Sequence, residues 1–85
     1  MAKVTIQYWA AAKQAAGVAE ESVEAVTLAE ALAEIVARRG ADGRLRSVLA
    51  TSSFLVDGAP AGRQAADLVL HDAARIEVLP QFAGG

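Results

Sequence analysis

The chain has no cysteine, which removes disulfides, thiolate metal sites and a cysteine nucleophile together. It has one histidine, His71, so no cluster of imidazoles can gather around a metal. Basic residues are not in excess either. Eight Lys and Arg stand against ten Asp and Glu, for a formal net charge of −2 and an isoelectric point near 5.2. A nucleic-acid binder would carry a basic stripe instead. Long apolar runs are missing: the longest goes from Tyr8 to Ala12, and Met1-Ala2-Lys3-Val4 opens without the apolar core of a signal peptide. The expectation is a soluble, cytoplasmic protein that engages neither nucleic acid nor membrane. Also missing are GxGxxG, a P-loop, GxSxG, HExxH and any pair of carboxylates spaced for acid–base work.

What is present is apolar. Of 85 residues, 54% are hydrophobic, 21 of them alanine, and the mean hydropathy is +0.31. A chain of this length forms one small domain and buries only ~60–65% of its unfolded surface. Alanine favours helix and close packing but gives each site little area to bury.

Strict alternation in Lys3-Val4-Thr5-Ile6-Gln7-Tyr8 puts Val4, Ile6 and Tyr8 on one face of a half-buried strand. Residues 10–16 read as one or two helical turns stopped by Gly17, and residues 20–26 as a second, weaker strand. Thr27-Leu28-Ala29-Glu30 is a capping box. Behind it Leu28, Leu32, Ile35 and Val36 form one apolar stripe, Arg38 and Arg39 fall in the last turn, and Gly40 can take a left-handed cap. Leu45 to Leu49 can hold another short helical turn. Phe54-Leu55-Val56 is a strand ending at the turn signal Asp57-Gly58, with Pro60 expected to limit how soon pairing resumes. Leu68-Val69-Leu70 is a brief apolar run. Residues 75–79 alternate as a last strand, which Pro80 ends. Strands outnumber helices without a repeating strand–helix alternation, so the fold class is α+β.

Side chains able to do chemistry are scattered. Asp57, Asp67 and Asp72 read as turn and cap residues, and His71 as a solitary turn histidine. Tyr8 and Trp9 read as core or edge aromatics rather than a stacking platform, because no basic patch surrounds them. Arg38, Arg39, Arg44 and Arg46 read as helix-dipole complements and solvated surface charge.

The tail differs. A strand runs into Pro80-Gln81-Phe82-Ala83, and the sequence ends Gly84-Gly85. Two such glycines occur by chance in about one chain in 200. Lacking Cβ, a Gly-Gly end can thread a channel too narrow for other residues. Its α-carboxylate, with a pKa near ~3.5, is ionised at neutral pH and unhindered. That makes it a fair nucleophile toward the α-phosphate of ATP, giving an acyl-adenylate that a sulfur or amine donor can attack. Pro80 stiffens the exit, and Leu79 and Phe82 are candidate partner contacts. The activating groups have to come from a partner.

These segments together resemble the ubiquitin-like β-grasp sulfur carriers, most closely the small subunit of molybdopterin synthase (the MoaD type), with ThiS-like carriers as relatives. The likeness covers the whole chain: residues 4–10 and 13–17 at the start, Thr27 to Leu32 at the helix, Phe54-Leu55-Val56-Asp57-Gly58 at the hairpin, and Ile76 to Gly85 at the end. Three features depart from the pattern. The family's Asp-Gly-Asp turn is Asp72-Ala73-Ala74 here, its paired prolines are Pro80-Gln81, and an aliphatic residue near the end is Phe82.

The resemblance implies a β-grasp domain over residues 1–79, with first and last strands adjacent and parallel, one long helix packed across a mixed sheet, and a flexible Gly-Gly tail over 80–85. It also implies a cycle. An E1-like adenylating enzyme (MoeB type) uses ATP to adenylate Gly85, a sulfur donor converts it to a thiocarboxylate, and Gly84 and Gly85 enter the large synthase subunit (MoaE type). There sulfur passes to cyclic pyranopterin monophosphate, usually within a heterotetramer. The chain itself would bind no cofactor or metal and would be a co-substrate, not an enzyme alone. Carriers for thiamine thiazole or cysteine synthesis, and a β-grasp binding module or modifier with no sulfur role, are the alternatives.

Overall fold

The computed structural model describes residues 1–39, 43–61 and 66–80. In chain order the elements are β1 (Ala2–Tyr8), α1 (Ala10–Ala16), β2 (Glu20–Ala25), α2 (Leu28–Arg39), α3 (Arg44–Ala50), β3 (Ser52–Val56), β4 (Ala59–Ala61) and β5 (Arg75–Pro80). The strands form one mixed sheet in the order β2-β1-β5-β3-β4. The first and last strands lie side by side and parallel, from Thr5↔Arg75 to Tyr8↔Val78. Every other pairing is antiparallel. This is the α+β, ubiquitin-like β-grasp arrangement that the sequence led us to expect.

Alternation along each strand divides the sheet into two faces. Val4, Ile6 and Tyr8 of β1, Val23 and Ala25 of β2, and Ile76 and Val78 of β5 are buried on one face. Phe54 and Val56 of β3 and Ala61 of β4 pack against that core while partly exposed. The helices supply the rest: Ala12 and Ala16 from α1, Leu28, Ala31 and Ile35 from α2, and Leu45 and Leu49 from α3. The buried stripe of α2 is therefore rotated from the expected one. Ala31 sits at its centre, and Leu32 and Val36 lie at its margin. With no side chain beyond Cβ, Ala31 lets the helix approach the sheet closely, which the larger flanking residues would prevent.

The expected signals are recognisable in detail. Gly17 closes α1 in the left-handed conformation at φ 83°, and its N–H donates to the Lys13 carbonyl. The Glu30 N–H donates to the Thr27 hydroxyl at 3.2 Å, half of the capping box; the Glu30 carboxylate meets that hydroxyl, at 3.5 Å, rather than the Thr27 backbone. The Leu28 N–H is taken by the Leu68 carbonyl at 3.0 Å, and the Leu70 N–H donates to Val26 O at 2.8 Å. The short run 68–70 thus straps the start of α2, with only Leu70 buried. The Gly40 cap lies outside the described residues.

Two expectations change. Pairing resumes at once after Asp57-Gly58, whose φ values of 52° and 83° make a tight hairpin turn, and Pro60 pairs with Leu55. β4 is the sheet's edge, where a residue without an N–H leaves no ladder bond unmade. β5 also runs one residue further than expected, with Pro80 opposite Ser52.

Packing and turn geometry give two expected outcomes. Ile35 is fully buried at the α2–sheet contact, so Ile35→Ala should cost about 2–5 kcal/mol in chemical denaturation. Ala73 has φ 69°, the left-handed region that the family's turn fills with glycine. Ala73→Gly should therefore raise stability by roughly 0.5–1 kcal/mol, the relieved strain exceeding glycine's added unfolded-state entropy.

Candidate functional site

Central pairing of β1 with β5 brings the end of β5 beside the turn that follows β1. The Trp9 N–H donates to the Val78 carbonyl at 3.2 Å, and the indole Nε1–H donates to Glu77 Oε1 at 3.2 Å. Trp9 is 43% exposed, and its bond to Glu77 sets the indole beside the sheet face opposite the helices. The next residue, Ala10, has φ 48°, a strained conformation for a residue with a Cβ.

The open face is mostly polar. Arg75 reaches Gln7 Oε1 and, at 3.4 Å, Glu20 Oε2. Between the β3–β4 hairpin and the chain exit it turns apolar. Alternation places Leu79 on the same face as Glu77; Leu55 is paired with Glu77 and Pro60 with Leu55. Leu79 and Leu55 are half-buried, and Pro60 is exposed. Trp9, Leu79, Leu55 and Pro60 therefore lie on one open face as a diagonal apolar strip, with Ser53 opposite Leu79 and Glu77 opposite Leu55, that runs from the β3–β4 hairpin to the end of β5. An aromatic anchor in such a strip suits a partner interface.

On the helix-side face, a carboxylate whose side chain is mostly covered holds the end of β1. Glu21 is paired with Ile6 and so shares the helix-side face with Val23 and Ala25. Its side chain is only 8% exposed. The Tyr8 hydroxyl donates to Glu21 Oε2, Arg39 Nε to the same oxygen at 2.7 Å, and Arg38 Nη1 to Oε1 at 3.3 Å. Arg39 also donates to Ala16 O at 3.0 Å, and Arg38 to Ser22 O at 2.8 Å on the edge strand β2. Burial pushes the Glu21 carboxyl up, but hydrogen bonds from Arg39, Tyr8 and Arg38 outweigh it and hold it below the ordinary value. Burial, reinforced by the adjacent carboxylate, drives the Tyr8 phenol far above its usual range. Arg38 and Arg39 thus clamp α2 to β2 and α1, beyond the dipole and solvation roles expected of them.

The structure brings Leu79 and Pro80 to the exit, with Pro80 half-buried and still paired. Phe82, Gly84 and Gly85 lie outside the described residues. Trp9 joins Leu79 at the exit, and Leu55 lies diagonally from Leu79 on the same face, although the sequence reading gave them no such role. Their register with Glu77 was the missing information. Tyr8 is a core aromatic, as expected, and Trp9 an edge one. Among the described residues no group of three or more His, Cys, Asp or Glu side chains could hold a metal ion, and no helix is long and apolar enough to cross a membrane.

The mixed five-stranded sheet, with a glycine pair following it in sequence, is the ubiquitin-like β-grasp fold of carriers and modifiers. The family model described as "ThiS family" matches residues 6–85, and the chain belongs to that family. Among solved structures, it is similar to small archaeal modifier protein 1 from Methanosarcina acetivorans, with TM-score 0.85 and 21% identity, covering 100% of this chain and 98% of that one. A Pyrococcus furiosus protein described as molybdopterin converting factor, subunit 1, gives TM-score 0.80 and 24% identity, covering 96% and 100%. Small archaeal modifier protein 1 from Haloferax volcanii gives 0.81 and 17%, covering 98% and 99%. No curated protein matches the sequence significantly.

Removing the hydroxyl in Tyr8→Phe should cost about 1.5–3 kcal/mol at neutral pH, as for a hydrogen bond to a charged group. Glu21 has a depressed folded pKa, so its contribution is present above the ordinary carboxylate value and is lost as pH falls through the folded one. The stability gap between wild type and Tyr8→Phe should shrink across that acid window in denaturant titrations.

Proposed function

We propose that this protein is the sulfur carrier of molybdenum cofactor synthesis, the small subunit of a molybdopterin synthase, with Gly85 as its reactive residue. The Gly85 carboxylate attacks the α-phosphate of ATP on an E1-like adenylating partner, releasing pyrophosphate. A sulfur donor then displaces AMP and leaves a thiocarboxylate. The tail, slim at Gly84 and Gly85, enters the large synthase subunit, where its sulfur passes to cyclic pyranopterin monophosphate and the carboxylate returns with an oxygen from water. In this reading the chain is a co-substrate and not an enzyme alone. It holds no cofactor, and ATP belongs to the activating partner.

The observation that carries the reading is the family match, which runs through the Gly84-Gly85 pair. The apolar strip that reaches the end of β5 supports it, because a partner gripping Trp9 and Leu79 holds the tail where it leaves the sheet. The Pyrococcus furiosus likeness favours the molybdopterin pathway among those a ThiS-family carrier could serve. The likeness to two small archaeal modifier proteins favours a second reading, in which the activated terminus forms an isopeptide bond with a lysine amine instead of accepting sulfur.

Deleting Gly85 should abolish sulfur transfer to the pyranopterin while the circular dichroism and melting curve stay unchanged. A fully active truncation would sink the proposal. Supplying the thiocarboxylate form to the thiazole- and cysteine-forming acceptors in parallel separates the pathways. Trp9→Ala should weaken binding to the activating enzyme by about 2 kcal/mol, measured by calorimetry.

A further inference from the structure

At the sheet end away from the tail exit, three backbone segments converge: the start of β5 at Arg75, the β3–β4 turn at Asp57, and Lys3 of β1. The Asp57 N–H donates to Arg75 O at 2.8 Å, and the Arg75 N–H returns to Asp57 Oδ1 at 3.0 Å. The Lys3 N–H donates to Asp72 Oδ1 at 2.9 Å, and the Ala73 N–H to Lys3 O at 2.9 Å. His71 sits between these contacts. Its Nε2 is 2.5 Å from Asp57 Oδ2, and its Nδ1 is 2.8 Å from the Asp72 carbonyl oxygen.

A backbone carbonyl only accepts, and an ionised carboxylate only accepts. Both ring nitrogens therefore need a proton for both contacts to be hydrogen bonds. A neutral imidazole has one N–H, and its other nitrogen would turn a lone pair toward an oxygen. The geometry fits the imidazolium alone.

We propose that His71 is a proton-dependent clamp: as imidazolium it bridges Asp57 and the Asp72 carbonyl and tightens the β3–β4 hairpin tip against the start of β5, and on losing its proton it can keep only one of the two bonds, so the bridge opens. The charged groups assembled at this end are Asp57 from the hairpin, Asp72 from the preceding turn, Arg75 from β5 and Lys3 from β1. The Arg75 guanidinium is engaged elsewhere, with Gln7 and Glu20. The His71 side chain is 68% exposed, so protons exchange with solvent freely. The hairpin it fastens carries Leu55 and Pro60 of the apolar strip, so the clamp bears on a surface offered to partners. It stands independently of the pathway proposed above.

The titration behaviour agrees in direction. The bond to Asp57, and then that to the Asp72 carbonyl, raises His71 above its ordinary value. The Arg75 amide, and then His71, holds Asp57 below its own. A raised folded pKa gives stability that is complete below the unfolded value and lost as pH rises through the folded one. Asp57 behaves oppositely: its contribution is present above its unfolded value and lost as pH falls through the depressed one. The clamp is thus fully closed in mild acid and opens as His71 deprotonates.

Two-dimensional NMR on the full chain tests this. The His71 ring should titrate above the ordinary value of ~6.5 in wild type and fall toward it in Asp57→Asn. Asparagine tolerates the left-handed turn position, so that variant keeps the hairpin. Hydrogen-exchange protection at the Arg75 and Asp57 amides, corrected for intrinsic exchange, should fall as pH rises through the His71 titration. In His71→Gln that protection should show no such step. An ordinary titration in wild type, unmoved by Asp57→Asn, overturns the proposal. So does hairpin protection that ignores the titration of His71.

Discussion

The parallel pairing of β1 with β5 is the contact on which the rest of the molecule depends. It joins the two ends of the chain in the centre of the sheet, Thr5 against Arg75 through Tyr8 against Val78. Parallel neighbours cannot be joined by a short turn, so the chain between them has to cross over, and its helices cover one face. That crossover supplies α2 and α3 to the core, and it leaves the other face open. It also puts the end of β5 beside Trp9, so the aromatic end of the apolar strip and the chain exit come from one pairing.

Glu21 shows how a small, alanine-rich core is kept in one arrangement. A carboxylate on the helix-side face of β2 would be costly to bury alone. Here it receives hydrogen bonds from Tyr8, Arg38 and Arg39, which ties β1, β2 and α2 at one point. Arg38 also covers the Ser22 carbonyl on the β2 edge, where an unpaired strand would otherwise invite another. At the opposite edge, β4 is only three residues long and carries Pro60. One edge is thereby partly covered and the other kept short, without enlarging the core.

Much of the fold was legible in the sequence because local period and caps agree with the tertiary arrangement. The alternation in residues 3–8, the Thr27–Glu30 cap and the Asp57-Gly58 turn all fall where the elements begin or end. What could not be read depends on contacts distant in sequence. Pro60 looked like an obstacle to pairing because its edge position is invisible from local order. Asp57 and His71 looked like separate turn residues, and only the hairpin's fold onto β5 joins them. Leu79 was found by position, but Trp9 and Leu55 needed the β1–β5–β3 register. For the tail the sequence remains the guide: Phe82, Gly84 and Gly85 lie outside the described residues, and their role rests on chemistry and family.

The central claim is that Gly85 carries sulfur at its carboxyl terminus. Intact-mass spectrometry after incubation with the cognate activating enzyme, ATP and sulfide tests it most directly. The account predicts that the full chain gains the mass difference between sulfur and oxygen, localised to the terminal glycine, and that the gain needs ATP. A terminus that keeps its oxygen under those conditions, or one that appears only in amide linkage to lysine, would contradict it.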